Sequence, residues 1–422
     1  MFIERSAARI RLARTAFVVV GLVPCIALVA WALHLRSTGH REAIRGRWQQ
    51  VVGLPLSIDA VEHPRPGVTR ARGCTVLGAD GAPLATVPVV ELESAVDEDR
   101  ITIDALRLDT RSAAAIGDLA REWLRRDARH PRNCIIEVAD FGWSSGGESG
   151  GTVASGLKVE CVAQGGSRAV RLVRRGGTPD EVRIIRVVAG GAGSARESIE
   201  VEARCAEGVP AAVLAAAAGW TLGPLAAAPA TLARGEVVAR WSDGLWSGSC
   251  RGEVAGVDLA AAARAVDARA AGTARIRCDR LAWQEGRLSD AEVAVDVGSG
   301  WVDAALFDRL VLALGCRPGP TAAGEPLRTF DRAACVLRLV AGGVSMLPGA
   351  DVADGLASLG AVALLQPPTA PVPFERVAWL ASPPSSTFVP ASGAGAWLMS
   401  VVPAAGADRV AKPPERGGRR EF

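Results

Sequence analysis

Ser198-Ile199-Glu200-Val201-Glu202-Ala203-Arg204-Cys205 is the stretch whose reading decides the fold. Ile199, Val201, Ala203 and Cys205 fall on one beat, and Glu200, Glu202 and Arg204 fall on the other. Successive side chains of a strand point to opposite faces, so this alternation describes a strand with one buried and one wet face. Parallel strands covered on both sides read instead as continuous apolar runs, so the expectation is an antiparallel sheet.

The same beat recurs outward from it. Toward the N-terminus strands are predicted at Leu56–Val61, Val68–Leu77, Leu84–Val96 and Arg100–Leu108. Four more follow at Asn133–Val138, Leu157–Ala163, Arg168–Arg174 and Glu181–Val188. Asp80-Gly81 is a dipeptide that suits a type I′ hairpin turn, where both central residues need positive φ. Ala113–Arg126 reads as a helix, with Ile116, Leu119, Ala120, Trp123 and Leu124 on one face.

Val209–Arg234, rich in Ala, Pro and Gly, reads as a short helix and a domain joint. From Gly235 the hairpins restart: Glu236–Trp241 with Leu245–Val254 around Asp243-Gly244, then Thr273–Trp283 with Arg287–Val297 around Glu285-Gly286. Phe330–Pro348 is a further hairpin. Helices are predicted at Leu259–Ala270, with Asp258 as N-cap, and at Trp301–Leu314. Hairpins with helices between them, without regular βαβ alternation, give an α+β class. The expected organisation is a first β-rich domain over residues 36–208, the joint at 209–234 and a second β-rich domain at 235–403. Residues 404–422, polar and rich in Arg, Gly and Pro, are expected to be a disordered tail.

Ahead of the strands stands Thr15–Leu35, TAFVVVGLVPCIALVAWALHL, which carries no charged residue. About 20 apolar residues at ~1.5 Å rise span the ~30 Å hydrocarbon core of a bilayer. The arginines of residues 1–14 and the Ala30-Trp31-Ala32 triplet also fit a cleavable signal peptide. The long apolar run and bulky Trp31 favour a retained anchor. Arginines are balanced on the two sides, so the short tail and the large strand-rich remainder set the expected orientation: residues 1–14 in the cytoplasm, the bulk outside.

With 48 basic and 45 acidic residues in 422, the net charge of +3 is too mild for a nucleic-acid footprint. Nine cysteines are scattered without a CxxC or zinc spacing. They either pair as disulfides or act as small buried hydrophobes; the apolar beats of Cys161, Cys205 and Cys278 favour the second reading. Gly142-Trp143-Ser144-Ser145-Gly146 matches the nucleophile-elbow pattern, yet the glycines after it oppose the required helix. All four histidines, His34, His40, His63 and His130, lie upstream of Ser144, so the order Ser, acid, His is not met. Gly190–Gly193 lacks a phosphate-binding lysine, and Asp97-Glu98-Asp99 reads as a solvated turn. No catalytic residue, cofactor site or metal site is expected, and the chain is read as a non-enzyme.

Pro55-Leu56-Ser57-Ile58-Asp59, His63-Pro64-Arg65-Pro66-Gly67, Leu77–Ala85 and Ile101–Leu108 together resemble the start of AsmA/TamB-like bacterial envelope proteins. Gly252–Leu259, Ala271–Ala274 and Leu281–Leu288 are similar to later segments of the same family. The resemblance covers Gly53–Leu108 and Gly235–Cys316, and its motifs are turn and strand patterns without a catalytic residue. It implies an inner-membrane-anchored periplasmic protein. It also implies an elongated sheet whose apolar groove serves phospholipid traffic and outer-membrane assembly.

The functional expectation is therefore lipid handling, with phospholipid as partner, the inner membrane as location, envelope proteins as further partners and no nucleic acid. The alternative is a membrane-anchored scaffold or secretion-system component that binds other proteins, through an exposed sheet edge for instance. Ile199, Val201, Ala203 and Ile276 are the residues expected to face lipid, because their strands carry full apolar faces.

Overall fold

The computed structural model describes residues 7–400 apart from 53–54, 79, 109, 126–132, 144–152, 165–166, 175–179, 190–195, 219–230, 265, 321–325, 351, 353–354 and 381–398. The chain opens with α1 (Ala7–Ala16), a π-helical segment (Phe17–Leu22) and α2 (Val23–Leu35). Arg14–Leu35 is long and apolar enough to cross a membrane, and none of it is buried against the body. Pro24 stands in the first turn of α2, directly after the π turn. A widened turn suits a residue that cannot donate to the preceding carbonyls.

Helix α3 (Thr38–Val52) leads to β1 (Leu56–Ser57), β2 (Ala60–Arg65), β3 (Val68–Leu77), β4 (Pro83–Ser94) and β5 (Glu98–Leu108). Then come α4 (Thr110–Arg125), β6 (Asn133–Trp143), β7 (Val153–Gln164), β8 (Ser167–Arg174), β9 (Asp180–Ala189) and β10 (Arg196–Pro210). After α5 (Ala211–Ala218) follow β11 (Leu232–Ser242), β12 (Leu245–Asp258), α6 (Leu259–Arg264), β13 (Ala270–Ala271), β14 (Thr273–Gln284) and β15 (Arg287–Val297). The C-terminal part holds β16 (Gly300–Asp303), α7 (Ala304–Leu314), β17 (Arg317–Pro318), β18 (Leu327–Phe330) and β19 (Arg332–Val340). It continues with β20 (Gly343–Pro348), β21 (Ala357–Leu359), β22 (Val362–Gln366) and α8 (Phe374–Leu380).

The class is α+β, dominated by one large antiparallel sheet. From β3 to β12 each strand pairs with the next in sequence. The ladder then continues β12–β14–β15–β19–β20. Its one parallel pair among the described residues is β5–β6, and α4 supplies the crossover that a parallel pair requires. The strands on either side of the Ala/Pro-rich segment belong to the same sheet, since β10 and β11 pair from Ser198↔Ser242 to Pro210↔Leu232. Strands β13, β16 and β18 form a separate small sheet.

Two helices predicted from the sequence start or stop elsewhere. The Leu259–Ala270 helix ends at Arg264, because Val266 and Ala268 both donate to the Ala263 carbonyl and Asp267 turns to φ 53°. Ala270 then pairs with Val302 in a strand. The Trp301–Leu314 helix begins only at Ala304. Its first three predicted residues pair with β18, and extended Asp303 caps the helix by accepting from the Leu306 amide at 2.7 Å. Both dipeptides Asp243-Gly244 (φ 52° and 87°) and Glu285-Gly286 (φ 51° and 78°) adopt the positive-φ pair of a type I′ turn.

Three of the four histidines meet where the apolar helix joins the body. The His34 and His40 rings are 5.5 Å apart, those of His40 and His63 5.1 Å, and the Nε2 atoms of His40 and His63 are 2.8 Å apart. Partial burial, then the neighbouring His63, His34 and Arg47, lower the pKa of His40. Beneath, Ile44 and Trp48 of α3 close a core with Leu56, Ile58, Ala71 and Val90.

Candidate functional site: an apolar row across the sheet

Strand register assigns every side chain to a face, because directly opposed residues point to the same side. One row runs Leu92, Ile101, Ile136, Val159, Leu172, Val182, Ala203, Val237, Cys250, Leu281, Ala291, one residue from each of eleven consecutive positions in the sheet. All eleven are apolar, and each is half-buried. At ~4.8 Å per strand the row is about 48 Å long. A parallel row beside it reads Cys134, Cys161, Val170, Ile184, Val201, Ala239, Gly248, Trp283 and Leu288.

The other face is charged in complementary cross-strand pairs. Arg171 reaches Glu181 at 2.7 Å, Arg251 reaches Glu236 at 2.6 Å and Arg338 reaches Glu292 at 2.9 Å. Arg338, aided by Arg280, holds Glu292 below the ordinary carboxylate range. Such exposed pairs add little stability each, but they keep this face wet and fix which side turns inward.

Two roofs lie over the apolar face. The first is α4 with α5. Ser112 at the start of α4 donates to the Leu84 carbonyl of β4. At its end Arg168 of β8 donates to the Trp123 carbonyl at 3.4 Å, and Arg186 of β9 to the Leu124 carbonyl at 2.9 Å. The Arg168 guanidinium also sits 4.9 Å over the Trp123 ring. Cations suit a helix C-terminus because its last carbonyls lack intrahelical partners. Gly117 lets α5 approach: a Cβ there would lie 2.1 Å from the Ala217 carbonyl oxygen. Ile116, expected on the buried side of α4, is 40% exposed. Near this roof Arg174 and Asp180 form a buried ion pair, which Glu207 joins at 3.0 Å from Arg174.

The second roof is apolar. Phe307 and Leu314 of α7 pack with Leu356, Leu365 and Val372. Between α7 and the sheet lies a cavity of about 210 Å³ walled by Val295, Cys335, Phe307, Leu310, Met346 and Leu364. Val295 and Cys335 belong to the face that carries the long row.

The four residues expected to face lipid do share that face. Ala203 lies in the long row and Val201 in the row beside it. Ile199 stands opposite Trp241 and Arg186, toward the clamp of α4. Ile276 packs against Val257, Ala274, Val297 and Phe330, so it belongs to the second core rather than to the open stretch. The contributions of the ten other strands on either side of Ser198–Cys205 are not legible in the sequence, because the signal lies in register rather than in any segment. The Ser144 loop, His130 and residues 404–422 lie outside the described residues. Among the described residues no cluster of three His, Cys, Asp or Glu side chains is arranged to hold a metal ion.

Comparison with protein-family models, with curated proteins and with solved structures found no match to this chain.

Proposed function

We propose that this chain is a membrane-anchored lipid-handling protein of the bacterial envelope, of the AsmA-like kind, which holds acyl chains against the inner face of its sheet. The observation that carries the reading is the unbroken eleven-strand apolar row, half-buried along its whole length and backed by a charged face. An apolar strip of this extent is abnormal on a soluble monomer and marks a binding surface. Linear hydrocarbon suits it: each methylene withdrawn from water contributes about 0.8 kcal/mol, and a row without polar groups offers nothing to a headgroup. The apolar helix Arg14–Leu35 would tether the sheet to the inner membrane as the lipid source, with the body in the periplasm. No catalytic role is part of this reading.

A photo-crosslinking residue at Val201 or Val237 should capture phospholipid in cells, whereas the same residue at Glu202, on the charged face, should not. Capture of protein alone, or equal lipid capture from both faces, would overturn the reading and favour the scaffold alternative. An alkaline phosphatase fusion after residue 402 should be active; an inactive fusion would reverse the orientation.

A further inference from the structure

Beyond lipid handling, the register of the sheet sorts the scattered cysteines. Cys134 and Cys161 are directly opposed on β6 and β7. Opposed residues of antiparallel strands have Cα atoms about 4.5–5.5 Å apart, inside the ~4.4–6.8 Å range of disulfides. Cys250 and Cys278 sit on β12 and β14 on either side of a bulge, with Gly252↔Cys278 and Cys250↔Leu281 as the flanking pairs. The Cys278 thiol donates to the Cys250 carbonyl oxygen at 4.0 Å. By contrast Cys74 is opposed by Val87 and Cys205 by Gly235.

We propose that Cys134–Cys161 and Cys250–Cys278 are disulfides in the mature protein, while Cys74 and Cys205 remain thiols. The inference rests on the reading that the body lies outside the cytoplasm, where disulfides persist. Formation needs a protein disulfide as oxidant. A thiolate of one cysteine attacks a sulfur of that donor, whose other sulfur leaves as a thiolate. The second cysteine, giving up its proton, then attacks the first, which closes the S–S bond and releases the donor as a dithiol. Two electrons and two protons thus pass to the donor for each bridge. Burial pushes the thiols of Cys134 and Cys161 up to about 11 and about 12, so within the folded sheet both are protonated and slow to exchange with outside thiols.

The test alkylates free thiols in intact cells and lysate, extracts the full-length protein, and maps its peptides by mass spectrometry without reduction. The expected result is two linked peptide pairs, 134–161 and 250–278, each lighter by two hydrogens, with Cys74 and Cys205 alkylated. Cys161→Ala should release only Cys134 to the reagent, leaving the 250–278 link intact. Links between other cysteines overturn the pairing. Thiols free at all four positions overturn the proposal as well, and the phosphatase fusion then separates the causes: an active fusion leaves the topology standing, an inactive one removes both.

Discussion

The two roofs over the apolar face differ in how they meet the sheet, although Ala113, Val209 and Val213 give the first a small core of its own and Arg309 of α7 donates to the Val266 and Leu380 carbonyls in the second. The α4–α5 roof is clamped at its ends by polar contacts: Ser112 to Leu84, Arg168 and Arg186 to the last carbonyls of α4, with the Arg174–Asp180 pair nearby. The α7 roof is bonded to the sheet by Phe307, Leu314 and the residues around the cavity. A polar clamp exchanges its hydrogen bonds with water at modest net cost, whereas lifting an apolar roof exposes its whole contact area. The ends of the first roof therefore depend on contacts that water can replace, while the second roof shares the core around Leu356 and Leu365.

The largest expected effect comes from Asp180→Ala, which leaves the Arg174 guanidinium buried with only Glu207 as counter-ion. Removing one partner of a buried pair costs about 3–5 kcal/mol, read as a lower denaturant midpoint. A loss below ~1 kcal/mol would mean that water reaches the pair. Next, Leu314→Ala in the second roof should cost about 2–5 kcal/mol through cavity formation. Hydrogen exchange should then speed up across α7 while α4 stays protected; uniform loss would erase the distinction between the roofs.

Arg186→Ala should reverse that pattern at lower cost, about 1.5–3 kcal/mol for a charge-assisted bond. Exchange in the last turns of α4 should accelerate, and lipid capture from Val201 should rise if the roof gates the row. Protection unchanged in α4 would refute the clamp. The smallest effect concerns the histidine junction, which neither roof covers. The lowered pKa of folded His40 means that the unfolded chain binds the proton more readily. Stability from this residue is therefore full above about pH 6.5 and declines as pH falls through that value. The protection of α3 amides should follow, and His40→Gln should flatten the profile; stability that rises on acidification would contradict the assignment.

Much of this architecture is readable from alternation alone. Val68–Leu77 and Arg287–Val297 coincide with β3 and β15 because a glycine turn precedes each run and a glycine follows it. Ala270 and Trp301–Asp303 carry a helical pattern yet form strands, because their partners lie in distant segments that no local window contains. The candidate site divides in the same way. The face of Ile199, Val201 and Ala203 is local, but its continuation passes through bulges at Cys278/Arg280 and Val254/Val257. Each bulge shifts the beat by one residue, so the row becomes visible only once the strands are paired. Cysteine pairing has no local signal at all.

The order of the strands has a consequence for how the molecule assembles. From β3 to β12 every neighbour in the sheet is also the neighbour in the chain. Closing a short loop costs little entropy, so each new strand finds its template already at the growing edge. The sheet can thus be laid down in the order of synthesis, starting from the end nearest the apolar helix. The longest wait falls on β15, whose next partner β19 begins only at Arg332. Until then its edge stands open, and that interval is when the nascent chain is most exposed to pairing with a stranger.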